Sequence, residues 1–176
     1  VTTFFLEEKV DTGNMLLQAR VPIKPEDDAG SLHDTVAEVG AEIVLHTVRL
    51  IEQGKMVPRK QDDALASPAP KLFKQDCRIN WNEPAQKIHN RVRGLSPLPT
   101  AFTMHNGRVI KLYRTQLTDR KSSGEPGSVL LEGKSLFVCT ADNFIAVSEL
   151  QQEGRRRMGV EEFLRGYHLT SGEKLT

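Results

Sequence analysis

The chain has 176 residues, 38% hydrophobic and 27% charged, with a formal net charge of +1. That balance suits one folded domain or two small ones and excludes a disordered polyelectrolyte. No apolar run reaches the roughly 20 residues that span a membrane. Cys77 and Cys139 are isolated from each other and from any Cys/His cluster, so neither a disulfide scaffold nor a zinc site is expected. A cytoplasmic protein is expected, with no metal and no membrane contact.

The charge is unevenly spread. Residues 1–70 hold 7 Lys and Arg against 12 Asp and Glu, and residues 71–176 hold 17 against 11. An acidic part before a basic part suggests two modules, the second suited to a polyanion. Residues 1–6 read as a buried strand already under way, and the chain does not begin with Met. It is therefore expected to be the C-terminal part of something longer.

In the first module, residues 1–6 and 15–23 read as a hairpin joined by the polar loop 7–14. Ser31-Leu32-His33-Asp34 has the spacing of an N-terminal cap. A helix is expected from there to about Gln53, with Gly54 as its stop. Its apolar stripe includes Leu32, Val36, Val39, Ile43 and Leu50, widened by Val44, Leu45, Val48 and Ile51. Such a helix should be well buried. Residues 57–75 carry Pro58, Pro68 and Pro70 and read as an extended linker.

The second module is organised around the stretch from Arg78 to Phe102, which opens Arg78-Ile79-Asn80-Trp81. Trp81, the sole tryptophan, is large enough to seed a core. Ala85, Ile88 and Val92 recur at helical spacing, with Asn82 as the expected cap, Pro84 near the start and Gly94 as the end. Pro97 and Pro99 then impose an extended corner. Residues 100–104 and 108–114 flank His105-Asn106-Gly107, and Asn-Gly between apolar alternations is a strong hairpin signal. Residues 118–126 read as a polar, mobile loop. Further strands are expected at 127–132, 135–140 and 144–150, then a basic loop at 154–158, a short helix at 160–164 and a tail. Five short strands with a helix favour a small barrel of the OB type. The five histidines form no metal constellation and read as surface or core-edge residues.

Several ordered motifs resemble the C-terminal portion of the methionyl-tRNA formyltransferase family. They are Val10-Asp11-Thr12-Gly13-Asn14-Met15-Leu16, Glu26-Asp27 ahead of the first helix, Lys71-Leu72, and Arg78-Ile79-Asn80-Trp81. Arg93-Gly94-Leu95-Ser96-Pro97-Leu98-Pro99 and Gly154-Arg155-Arg156-Arg157-Met158 complete the set. Asn80 departs from the family, which more often has Asp before the Trp. The resemblance implies an α/β part and then a mainly β part. Residues 1–56 would be a remnant of a Rossmann-like formyltransferase domain, 57–75 an extended linker, and 76–176 an OB-like barrel that helps to hold tRNA. The implied reaction passes a formyl group from 10-formyltetrahydrofolate to the amino group of methionyl initiator tRNA. The family is expected to act as a monomer in full length.

Of the family's catalytic Asn, His and Asp, the resemblance places only the Asp here, at Asp11. The Asn and His lie upstream in the family, so this chain by itself is expected to be inactive. Glu8, Lys9, Val10 and Asp11 resemble the loop whose backbone faces the folate ring. For tRNA, phosphate contacts call for long cationic side chains without fixed spacing. The candidates are Lys71, Lys74, Arg78, Arg91, Arg93, Lys111, Arg114, Arg155, Arg156 and Arg157, with Lys71 and Lys74 foremost, since an extended linker can follow an RNA backbone. Two alternatives stand beside this reading: a sugar-nucleotide formyltransferase of the same superfamily, and a non-catalytic RNA-binding module.

Overall fold

The computed structural model describes residues 1–176, which divide into two units, Val1–Lys71 and Leu72–Thr176. In the first unit, β1 (Thr2–Phe4) pairs antiparallel with β2 (Met15–Gln18). Both strands are shorter than the apolar runs suggested. Phe5, Leu6 and Ile23 are exposed, because a two-stranded ribbon offers too little surface to bury them.

α1 (Ala29–Glu52) starts earlier than expected. Its cap is Asp28, whose carboxylate accepts from the Ser31 amide at 2.9 Å, while the Ser31 hydroxyl accepts from the Asp28 amide at 3.1 Å. Ser31 therefore occupies the third helical position of a reciprocal capping box, and the box belongs to residues 28–31. Burial is also less than expected, with only Ile43 and Thr47 buried. Val36, Val44, Leu45, Val48 and Ile51 are exposed. Within this unit the helix meets one narrow hairpin, fastened by Thr47 Oγ1 against Thr3 Oγ1 at 2.9 Å, and that hairpin covers only a fraction of the stripe.

In the second unit, α2 (Ala85–Leu95) lies against a six-stranded antiparallel sheet. The strands are β3 (Ala101–His105), β4 (Arg108–Lys121), β5 (Val129–Glu132), β6 (Ser135–Cys139), β7 (Asn143–Gln152) and β8 (Met158–Gly159), and α3 (Val160–Gly166) comes after them. The order is β3-β4-β7-β6-β5, with β8 on β7. The tail joins the two outer strands. The Leu175 amide donates to the Gly127 carbonyl and the Val129 amide to the Glu173 carbonyl, at 2.9 and 2.8 Å, beside β5. Met104 of β3 and Thr176 exchange two amide bonds at 2.7 and 2.9 Å. The hydrogen-bonded path is thus a ring, which leaves few strand edges unpaired.

Alternation explains the lining of the ring. Ala101, Thr103 and His105 are buried while Phe102 and Met104 are half-buried. Ile110 and Leu112 of β4 and Ile145, Val147 and Leu150 of β7 join Ile88 and Val92 of α2 in one core. Trp81 is 4% exposed, and its indole donates to Thr103 Oγ1 at 3.0 Å. That hydroxyl donates in turn to the Thr176 carbonyl at 3.1 Å.

Several local expectations are corrected. Asn82 does not cap α2. Pro84 is the cap residue, and the Ala85 amide donates 2.8 Å to Asp142 Oδ1, from the turn between β6 and β7. Gly94 lies inside α2, which ends at Leu95. Residues 118–121 are strand rather than loop, because β7 provides a ladder: Leu117 faces Ile145 and Lys121 faces Asn143. A paired partner overrides polar composition there. β8, which starts at the last residue of the segment read as a basic loop, is likewise set by pairing with Glu149 and Leu150. The β3–β4 turn contracts to Asn106-Gly107, both at positive φ (48° and 76°), as a two-residue hairpin requires. His105 consequently belongs to β3 and is buried against Tyr167, Nδ1 to the hydroxyl at 2.8 Å.

Replacing Asp142 by Ala removes the acceptor for the Ala85 amide, and about 1 kcal/mol of stability is expected to go with it, measured by urea denaturation at pH 7. The Ala85 amide, with the Asn143 amide and Thr140 hydroxyl, holds the Asp142 carboxyl below its usual range. This contribution is therefore complete above that range and fades as pH falls through the lower folded-state value. The difference between the two proteins should shrink in acid. Gly127→Ala tests the ring closure. Gly127 has φ +88°, and a Cβ there would collide with the Leu175 carbonyl. Left-handed strain of about 1–2 kcal/mol adds to the clash, so a lower melting temperature is expected. Amide exchange at Met104 and Thr176 should be faster as well.

Candidate functional site

The loop that carries Asp11 is closed by the Phe5 amide donating to the Asn14 carbonyl at 3.3 Å. Gly13 is buried there, and a Cβ on it would overlap the Phe5 carbonyl, so this position admits only glycine. Asp11 itself takes a left-handed conformation, φ 59°, which Asp tolerates better than most residues. Gln61 Nε2 donates 2.8 Å to the carbonyls of both Asp11 and Gly13. Arg59 pairs with Met15 through two amide bonds of 2.8 Å. Residues 59–61 thus brace the loop.

The Asp11 carboxylate is exposed, as are Glu8, Lys9 and Val10. The loop presents its backbone and three exposed carboxylates, those of Glu7, Glu8 and Asp11, and Thr12 Oγ1 donates to the Lys9 carbonyl at 2.9 Å. A carboxylate held this way can orient or receive a proton from a partner group. No three His, Cys, Asp or Glu side chains are grouped to hold a metal ion, and no helix is long and apolar enough to cross a membrane.

The cationic candidates separate into distinct classes. Arg157 is bidentate to Glu149 at 2.7 and 2.6 Å, with its guanidinium 4.3 Å above the Tyr113 ring. Arg156 pairs with Glu162 at 2.5 Å. Arg155 is exposed, and its carbonyl accepts from Gln151. Arg91 donates 2.6 Å to the Asp76 carbonyl and ties α2 to the segment before it. Arg93 Nε donates 2.9 Å to Asn90 Oδ1 on the same helix. Burial pushes the His89 imidazole pKa down, and the Arg93 charge adds to that effect. Lys71 is exposed, as is Arg114 on β4.

Lys74, Arg78 and Lys111 are the candidates that the second unit gathers. Lys74 begins a short 3-10 turn, Lys74–Cys77, held by Asp76 Oδ2 accepting from the Phe73 amide at 2.8 Å. Arg78 forms a parallel bridge with Phe102. Phe102 sits directly opposite Lys111, and Lys111 opposite Gln151. Phe102, Lys111 and Gln151 form a row across β3, β4 and β7. The row lies in a groove of about 470 Å³ that Leu72, Phe73 and Pro99 also line. A second groove, about 640 Å³, has Lys74, Arg78 and Phe102 along it.

Phe73 and Phe102 were not among the sequence candidates. Each had a faint signal: Phe73 stands between Lys71 and Lys74, and Phe102 alternates with small inward residues. Neither carries the positive charge that marks a phosphate contact in a sequence, so Phe73 read only as part of the extended linker and Phe102 only as the start of a strand.

Known proteins match both units of the chain. A family profile described as "Formyl transferase, C-terminal domain" matches residues 71–168, and one described as "Formyl transferase" matches residues 1–48. A methionyl-tRNA formyltransferase of Caldanaerobacter subterraneus is 37% identical over 98% of this chain and 56% of its own length. That of Chlorobium phaeovibrioides is 41% identical over 98% of this chain and 55% of its own. The chain spans about half the length of the curated relatives it matches. Among solved structures, HypX from Aquifex aeolicus in complex with tetrahydrofolic acid aligns with TM-score 0.68 and 20% identity, over 98% of this chain and 33% of that one. An N-formyltransferase from Helicobacter canadensis, in complex with folinic acid and dTDP-3-aminofucose, aligns with TM-score 0.63 and 21% identity, over 86% and 54%. At those identities the likeness is one of fold. With a profile match over more than half its residues, the chain belongs to the formyl transferase family.

Proposed function

We propose that this chain is the C-terminal part of an enzyme that transfers the formyl group of 10-formyltetrahydrofolate to the amino group of methionyl initiator tRNA in translation initiation. The observation that carries this reading is the match at about 40% identity along both units, in one order, to relatives bearing that name. In this reading residues 1–56 end a Rossmann-like catalytic domain, 57–75 form the linker, and 76–176 form an OB-like barrel that holds tRNA. The longer protein works as a cytoplasmic monomer without metal.

The chemistry is an attack of the amine lone pair on the formyl carbon. The new C–N bond forms, an oxyanion develops, and the bond to the folate nitrogen then breaks. The amine must lose a proton and the leaving nitrogen must gain one. Asp11 is assigned the positioning of a catalytic histidine supplied by the longer protein, and the relay of that proton. A carboxylate beside an imidazole favours its charged form, which suits an oxyanion nearby. The backbone of Glu8, Lys9, Val10 and Asp11 is assigned to the folate ring. Exposure of their side chains fits recognition through main-chain groups.

For tRNA, Lys74, Arg78 and Lys111 are the preferred phosphate contacts, with Lys71 and Arg155 beside them. Arg156, Arg157 and Arg93 are less suited, since each already serves a local partner. The sugar-nucleotide alternative rests on fold likeness alone. The reading as an RNA-binding module without catalysis describes what this chain would do by itself, because two of the three catalytic groups lie outside it.

Asp11→Asn in the full-length enzyme should leave folate binding intact and lower kcat by about 10²–10⁴-fold, measured by formylation of charged initiator tRNA. Near-normal turnover would remove Asp11 from the mechanism. Lys74→Ala and Arg78→Ala should each weaken tRNA binding and flatten the plot of log K against log salt by about 0.7–0.9. An unchanged slope would move the phosphate contacts elsewhere.

A further inference from the structure

The groove above the Phe102 row has two features that phosphate contacts alone do not need. Its lining includes four apolar side chains, those of Leu72, Phe73, Pro99 and Phe102, beside its polar and charged ones. Phe73 is 53% exposed and Leu72 56% exposed. Large apolar side chains this exposed beside cations mark a binding surface rather than a core edge. The volume of about 470 Å³ is within the range that takes one small planar group.

The charge around the rings is directional. Arg78 is bridged to Phe102 along the backbone, and Lys111 stands opposite Phe102 across the strand pair. Lys74 adjoins Phe73 in sequence and lines both grooves. Glu153 is the one carboxylate in the lining. Three cations beside one exposed ring, Phe73, and one half-buried ring, Phe102, complement a strand whose phosphates alternate with flat, apolar bases. A duplex would satisfy the cations but would keep its base faces stacked inside, leaving the rings unused.

We propose that this groove takes one unpaired nucleobase of a single-stranded RNA segment, stacked on Phe73 and Phe102, with the flanking phosphates on Lys74, Arg78 and Lys111. The inference rests on the tRNA reading above and adds to it a site that recognises an extruded or terminal base. Stacking makes the site tolerant of base identity, while the cations fix the direction of the backbone. Phe73, on the exposed strap, serves as the adjustable face, and Phe102, held in β3, as the fixed one.

The test uses the 176-residue chain and a short single-stranded RNA with 2-aminopurine at its centre. The same strand annealed to its complement is the control. Expected are quenching of the probe in the single strand, weaker binding of the duplex, and a roughly 10-fold loss of single-strand affinity in Phe73→Ala. Phe73→Tyr should keep the affinity and Phe73→Leu should not, since the ring rather than the apolar bulk is required. The salt slope should stay unchanged in Phe73→Ala and fall in Lys74→Ala. Equal binding of single strand and duplex, or an unaltered affinity in Phe73→Ala, would overturn the proposal. So would a change in self-association by sedimentation without any change in RNA affinity, which would give the groove to a protein contact. Methionyl initiator tRNA is titrated in parallel. If it binds the parent chain with normal salt dependence and Phe73→Ala does not alter it, only the base site falls. If the parent chain binds neither RNA, the tRNA reading falls as well.

Discussion

The second unit depends on a closure made by its last residues. Trp81 donates to Thr103, and Thr103 donates to the carbonyl of Thr176. Gly127 lets the Leu175 backbone come close, where any side chain would collide. These contacts join β5 to β3 through the tail, so the sheet has neighbours on both of its outer strands. A buried indole N–H without a partner would be costly. The Trp81–Thr103–Thr176 chain therefore satisfies the core and seals the ring by the same set of bonds.

Closure also decides which surfaces are left for binding. With the inward residues of β3 and β4 committed to the core, their outward residues form continuous rows. Phe102, Lys111 and Gln151 make one such row. The strap from Leu72 to Cys77 runs beside it because the Ile79 amide donates to the Phe102 carbonyl at 2.8 Å. Arg91 fixes the Asp76 carbonyl from α2. Thus an element with little regular structure is held against the sheet by a few contacts to backbone groups, and Phe73 and Lys74 stay exposed.

The first unit uses a different device. Its loop around Asp11 has almost no buried side chain, yet its path is narrowly determined. Gly13 fits where nothing larger can, and Gln61 spans two carbonyls from a segment about 50 residues away. A backbone held from outside can present carbonyls and amides in a constant arrangement whatever side chains the loop carries.

Much of this protein was legible from its residues. Trp81, the stripe Ala85-Ile88-Val92, the Asn106-Gly107 turn and the strand alternation after it are local signals, and each expresses itself within a few residues. The ordered motifs from Val10 to Met158 pointed to the formyltransferase resemblance that the profile matches support. Other features were decided only by tertiary structure. The cap of α2 comes from Asp142, far along the chain, and no local pattern marks a cap supplied from another turn. Residues 118–121 became strand because β7 was there to pair with them. The chain's cations looked alike in sequence. Folding placed Glu149 and Tyr113 around Arg157 and left Lys74, Arg78 and Lys111 gathered about one half-buried row. Charge is a property of a residue, but whether that charge is already satisfied depends on what the fold brings within reach.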